Sequence, residues 1–144
     1  MTGAPAWTPP GPALLFCPAD RPERYEKAAA RADVVILDLE DAVAPDDRPA
    51  ARRALRESGL DPGRTIVRVN PAGTDDHAAD LEALAGTDYR CVMLAMTESA
   101  AQVADLHSVS GAAVLALVET PLGVLRAQEI AAAQARLAAA QATL

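Results

Sequence analysis

One run of ten residues constrains this chain more than any other: Val34-Val35-Ile36-Leu37-Asp38-Leu39-Glu40-Asp41-Ala42-Val43. Its first four residues are apolar, three of them β-branched, and read as a strand buried on both faces, the signature of a parallel sheet. The strand then delivers Asp38, Glu40 and Asp41 at its C-terminal end. Carboxylates placed there cost desolvation free energy unless they bind a cation, accept hydrogen bonds or take up protons. In parallel α/β folds the C-terminal ends of strands are where ligands sit. The run therefore predicts both a fold class and a site.

The rest of the 144 residues alternates in the same sense. Residues 1–12, rich in Pro, Gly, Thr and Ala, are expected to be a flexible lead-in. Strands are predicted over 13–17, 34–37, 65–70, 91–94 and 113–118, the first of them buried. Helices are predicted between them: one entered at Asp20-Arg21-Pro22 and running to about residue 32, one opened by Pro45 and covering 50–58, then 77–84 and 98–107. Short connections between alternating strands and helices imply parallel strands with crossover helices. Five such units over residues 13–126 match either a small doubly wound sheet or part of a (β/α)₈ barrel. Residues 127–144 are almost entirely Ala, Gln, Leu, Arg and Glu and predict a helical tail, with no sixth strand.

Composition narrows the function. A formal charge of −7 argues against nucleic acid, whose phosphates need a basic face. Hydrophobic content of 51% with only 3% aromatic residues predicts a soluble core packed by Ala, Leu and Val. Cys17 and Cys91 sit in apolar strands and read as buried free thiols, with no zinc-ligand spacing. Neither a signal peptide nor a membrane-spanning run is evident, so the expected location is cytoplasmic, with no membrane partner.

Polar groups gather at four predicted strand ends: Asp20 and Arg21, then Asp38, Glu40 and Asp41, then Arg68 and Asn70, then Glu119 and Thr120. Acids converging with one arginine suit a divalent metal and a carboxylate-bearing substrate. Each also has a purely structural reading. Asp38 can cap its own loop, Glu119 can pair with Arg68, and Thr120 can cap a helix. His77 and His107 read as members of solvated helix faces, and Asp46, Asp47, Arg48, Arg52 and Arg53 as helix-dipole and surface charges.

Four segments in order resemble one family: Leu15-Phe16-Cys17-Pro18-Ala19-Asp20-Arg21-Pro22-Glu23-Arg24, the run at 34–43, Val67-Arg68-Val69-Asn70, and Ala116-Leu117-Val118-Glu119-Thr120. Together they resemble the citrate lyase β-subunit-like CoA-ester lyases of the HpcH/HpaI aldolase superfamily. The resemblance implies a (β/α)₈ barrel and Mg²⁺-dependent cleavage of a carbon–carbon bond in 3-hydroxyacyl-CoA esters of the citryl-, malyl- or citramalyl-CoA type. It implies Glu119 as a metal ligand in contact with substrate and Arg68 as the residue binding the substrate carboxylate. Asp38, Glu40 and Asp41 would line the site and orient Arg68 and metal-bound waters. A homo-oligomer, trimeric or hexameric, is also implied.

Two departures accompany the resemblance. Where the family's fourth strand ends Met-Leu-Pro-Lys, this chain has Met93-Leu94-Ala95-Met96, a thioether in place of an ammonium. The family's second metal aspartate, in a Gly-x-x-Asp-Leu segment, has no counterpart here, so the chain reads as five units of an incomplete barrel. The expected function is that lyase, impaired by truncation. The alternatives are a non-catalytic interaction or regulatory subunit derived from it and, more remotely, a phosphotransferase resembling the haloacid dehalogenases with Asp38 as nucleophile. That last chemistry needs an aspartate two residues on, where Glu40 stands.

Overall fold

The computed structural model describes residues 7–142. Among them five strands form one parallel sheet: β1 (Leu14–Pro18), β2 (Val34–Asp38), β3 (Thr65–Val69), β4 (Cys91–Leu94) and β5 (Ala113–Ala116). The helices are α1 (Tyr25–Ala29), α2 (Arg48–Arg56), α3 (Asp75–Leu84), α4 (Ala100–Ser110), α5 (Pro121–Leu125) and α6 (Ala127–Ala142). Spatial order equals chain order, β1-β2-β3-β4-β5. A doubly wound sheet reverses its strand order at an interior switch point. This sheet has no reversal, which removes that alternative.

The two faces of the sheet confirm single winding. Val35, Leu37, Val67, Val92 and Val114 pack with Tyr25, Leu55, Ala83, Val103, Leu106 and Ile130 from the helices. The other face gathers Val34, Ile36, Ile66, Cys91 and Met93, against which Trp7, Leu115 and Leu117 pack, with no helical residue. Alternation along each strand sends every second side chain to each face. All helices thus cover one face and leave the other to ligands or further chain. Of the expected lead-in, residues 1–6 lie outside the described residues. Trp7 packs on the helix-free face, and its Nε1 donates to the Gly63 carbonyl at 2.9 Å.

Differences from the expected elements have local causes. β1 is predicted buried, yet Leu14, Leu15 and Phe16 are exposed, because this edge strand pairs only with β2. The first helix is shorter than expected: a 3₁₀ turn at Pro22–Arg24 precedes α1, which ends at Ala29. α3 begins two residues early because Thr74 accepts the His77 N–H, and α4 starts from a capping box of Ser99 and Gln102. α5 was not expected as a helix, although Thr120 does cap it, accepting the Gly123 N–H. α6 packs Ile130 and Ala133 into the main core, and Gln134 Nε2 donates to the Val114 carbonyl. Among the described residues no helix is long and apolar enough to cross a membrane.

Candidate active site

Parallel register places Asp38, the last residue of β2, beside Arg68 of β3. The guanidinium closes on the carboxylate as a two-pronged fork, Nε to Oδ1 at 2.7 Å and Nη2 to Oδ2 at 2.6 Å. The same carboxylate accepts the backbone N–H groups of Glu40 (2.9 Å) and Ala42 (3.0 Å). Asp38 therefore receives four donors while 1% exposed, which satisfies a buried charge. Asp38 thus caps its own loop while it holds Arg68.

Glu40 lies on the far side of the same arginine, its Oε2 3.3 Å from Nη1 and accepting the Asp41 N–H at 3.0 Å. Burial raises the Glu40 pKa above 4.5, against the opposing pull of the Asp41 N–H and Arg68. The Asp38 hydrogen bonds raise the Arg68 pKa further above its ordinary value. Arg68 also lies over the Phe16 ring, 4.8 Å from its centroid. Two acids and one cation leave this group with an excess negative charge. Protonation of Glu40 or a bound cation would relieve it, and either would favour an anionic ligand. Asp41 adds only its backbone N–H here, and its side chain is exposed.

Glu119 stands at a separate place, beyond β5. Its Oε1 accepts the Met96 N–H at 2.8 Å. Met96 has φ +49°, the only described non-glycine residue in the left-handed region, and is 44% exposed. The carboxylate thus satisfies a strained backbone amide. Gly123 packs closely here, since a Cβ on it would meet the Thr97 carbonyl at 2.5 Å. Among the described residues no Arg68–Glu119 ion pair forms, because Arg68 is held by Asp38 and Glu40.

Mg²⁺ takes oxygen ligands, usually one or two carboxylates with waters and substrate oxygens completing an octahedron. Glu119 fits one such position. Among the described residues no three His, Cys, Asp or Glu side chains gather into a metal site. One Glu119 oxygen is already taken by the Met96 N–H, so the described residues supply at most one carboxylate ligand there.

A second polar network was not anticipated, and it corrects the reading of Arg48 and Arg52 as surface charges. Arg52 Nε donates to Asp80 Oδ1 at 2.7 Å and its Nη2 to Asp76 Oδ1 at 2.6 Å, while Arg48 pairs with Asp76. Asp80 Oδ2 accepts both the backbone N–H and Nδ2 of Asn70, each at 2.8 Å. His77, expected on a solvated face, donates Nδ1–H to the Asn70 carbonyl at 2.8 Å, and His107 Nδ1 likewise reaches the Ala112 carbonyl. The available signal was spacing: arginines four apart on α2 face aspartates four apart on α3.

Comparison with known proteins gives a consistent result. The family described as HpcH/HpaI aldolase/citrate lyase matches residues 13–142. A citrate lyase subunit beta-like protein of Mycobacterium tuberculosis is 64% identical over 123 residues, 85% of this chain and 44% of that protein. An L-malyl-CoA/beta-methylmalyl-CoA lyase of Cereibacter sphaeroides is 36% identical over 149 residues, covering 90% and 47%. A crystal structure of the M. tuberculosis protein CitE with magnesium, acetoacetate and coenzyme A superposes with a TM-score of 0.81 at 63% identity, covering 85% of this chain and 45% of that one. The chain thus spans about half the length of these relatives.

Proposed function

Since the chain belongs to the HpcH/HpaI aldolase/citrate lyase family, we propose that it is part of a Mg²⁺-dependent carbon–carbon lyase. Its substrates are 3-hydroxyacyl-CoA esters of the citryl-, malyl- or citramalyl-CoA type. The observation that carries this reading is Arg68, held rigidly at the C-terminal end of a parallel strand by Asp38. Such a guanidinium retains N–H groups on its Nη1–Nη2 side for a carboxylate, at little further entropic cost.

Arg68 docks the carboxylate of the hydroxy acid, Asp38 fixes the guanidinium, and Glu40 sets the charge beside it. Glu119 would hold the metal and lie near substrate, and Asp41, whose side chain is exposed, would orient water. Bound Mg²⁺ supplies Lewis-acid polarisation of a substrate oxygen. Loss of the 3-hydroxyl proton to a base and cleavage of the C2–C3 bond give an oxo acid and an acyl-CoA enolate, which takes a proton at C2. Along the open edge of β1, a groove lined by Leu15, Phe16, Arg24, Lys27 and Arg31 sets three cations beside apolar surface. That chemistry suits the phosphates and pantetheine arm of CoA. Residues 13–126 supply five units of a (β/α)₈ barrel, with α6 packed after β5, and the working form is a homo-oligomer, a trimer or hexamer. Free buried Cys17 and Cys91 support the reducing cytoplasm as its location.

One observation favours a second reading, a non-catalytic interaction or regulatory subunit derived from such a lyase. Met96 puts a thioether where the resemblance calls for an ammonium, and its N–H occupies one oxygen of Glu119. Incubation with malyl-CoA and Mg²⁺, followed by glyoxylate detection, separates the two. The lyase reading expects product, reduced about 100-fold by Arg68→Lys, which cannot reproduce the fork. Binding of CoA ester without product would establish the second reading and overturn the first.

A further inference from the structure

We propose that Asp80, on α3 and outside the acid–arginine group, is a positioning residue that sets the geometry of the Arg68 grip through Asn70. Asp80 is fully buried. As an ionised carboxylate it only accepts, so it dictates which way the Asn70 amide faces: Nδ2, not Oδ1, must point inward. That orientation aims the second Nδ2 hydrogen at the Leu39 carbonyl, 2.9 Å away. The Leu39 carbonyl belongs to the same peptide unit as the Glu40 N–H, which donates to Asp38 Oδ1. Leu39 N–H in turn donates to the Arg68 carbonyl at 3.0 Å.

One peptide plane between the two site carboxylates is therefore held by Asn70 on one side and Asp38 on the other. Rotating it removes a donor from Asp38 and swings the Glu40 side chain relative to Arg68. Arg52, bridging Asp80 and Asp76, holds Asp80 in place. A route of hydrogen bonds thus runs from α2 and α3 to the site, and Asp80, Asn70 and Leu39 along it act on Arg68's side chain only through Glu40 and Asp38. The functional weight of this inference rests on the reading of Arg68 as the carboxylate dock.

The test uses the purified chain and the Arg68 Nε–H resonance, whose hydrogen exchange reports the fork directly. Asp80→Asn lets the amide of Asn70 turn over, and Asn70→Ala removes the side-chain bonds to Leu39 and Asp80 while leaving Arg52–Asp80 intact. Both variants are expected to speed Arg68 Nε–H exchange at least tenfold, while the Arg64 Nε–H, bonded to the Asp33 carbonyl, is unchanged. Both are also expected to weaken oxaloacetate binding at least fivefold. A purely stabilising role would lower the unfolding midpoint and leave Arg68 exchange alone. Unchanged exchange in folded Asn70→Ala overturns the proposal even where Asp80→Asn fails to fold, as does unchanged affinity. Absence of oxaloacetate binding by the wild type instead overturns the docking role of Arg68, and exchange alone then decides the positioning claim.

Discussion

Arg68 and Asp38 are worth more together than apart, because each is buried and leaves an uncompensated charge if the other is removed. Asp38→Asn is expected to destabilise the fold by about 3 kcal/mol, read as a lower urea midpoint at unchanged slope. Glu40 carries a pH signature. With its folded pKa above 4.5, the folded chain binds that proton more tightly than the unfolded chain. Its contribution to stability is full below that value and lost as pH rises through the folded value. Glu40→Gln should therefore gain stability relative to wild type as pH rises above 4.5. Asp76 behaves oppositely: Arg52 lowers its pKa below 3.8, so its contribution is present above that value and lost as pH falls through the folded one. Unfolding midpoints of Glu40→Gln as pH rises above 4.5, and of Asp76→Asn as pH falls below 3.8, check both signs. The apolar runs made the strand ends that carry Asp38, Glu40, Arg68 and Glu119 legible from sequence. That Asp38 orients Arg68 was expected; the Glu119–Arg68 pair, the alternative, does not form among the described residues, because register sets Asp38 beside Arg68. Asp80 was not singled out from sequence, because its four-residue spacing from Asp76 becomes informative only once packing sets α3 against α2.

Helix ends and close approaches decide the geometry at the element scale. Gly123 lets α5 rest against residue 97, where a Cβ would stand 2.5 Å from a backbone oxygen. Gly123→Ala is expected to cost about 2 kcal/mol and to disturb Glu119, four residues earlier. A lower thermal midpoint, with weaker Mg²⁺ binding in a calorimetric titration, is the expected result. Strands β2 to β5 were legible almost to the residue because buried parallel strands read as continuous apolar runs. α5 was foreshadowed only by the alternative of a cap at Thr120, because Pro121-Leu122-Gly123 carries two residues that ordinarily oppose helix. Its start depends instead on the Thr120 cap and proline in the first turn.

The whole molecule is a singly wound sheet with helices on one face and two edges, β1 and β5. Phe16, on the β1 edge, is 47% exposed yet stacks on the arginine at the site. Unpaired edges with apolar side chains invite association. Sedimentation velocity should show concentration-dependent species, diminished by Leu14→Lys, which places a charge on that edge away from Arg68. The chain order of the strands was legible only as alternation; the choice between single and double winding needed the spatial order. The central claim is that Arg68 docks a substrate carboxylate, and calorimetric titration of the purified chain with oxaloacetate in millimolar Mg²⁺ tests it most directly. The account predicts saturable binding, weakened at least about tenfold, or 1.4 kcal/mol, by Arg68→Lys in a protein that still unfolds cooperatively. Equal affinity in wild type and Arg68→Lys, or no binding by either, would contradict it.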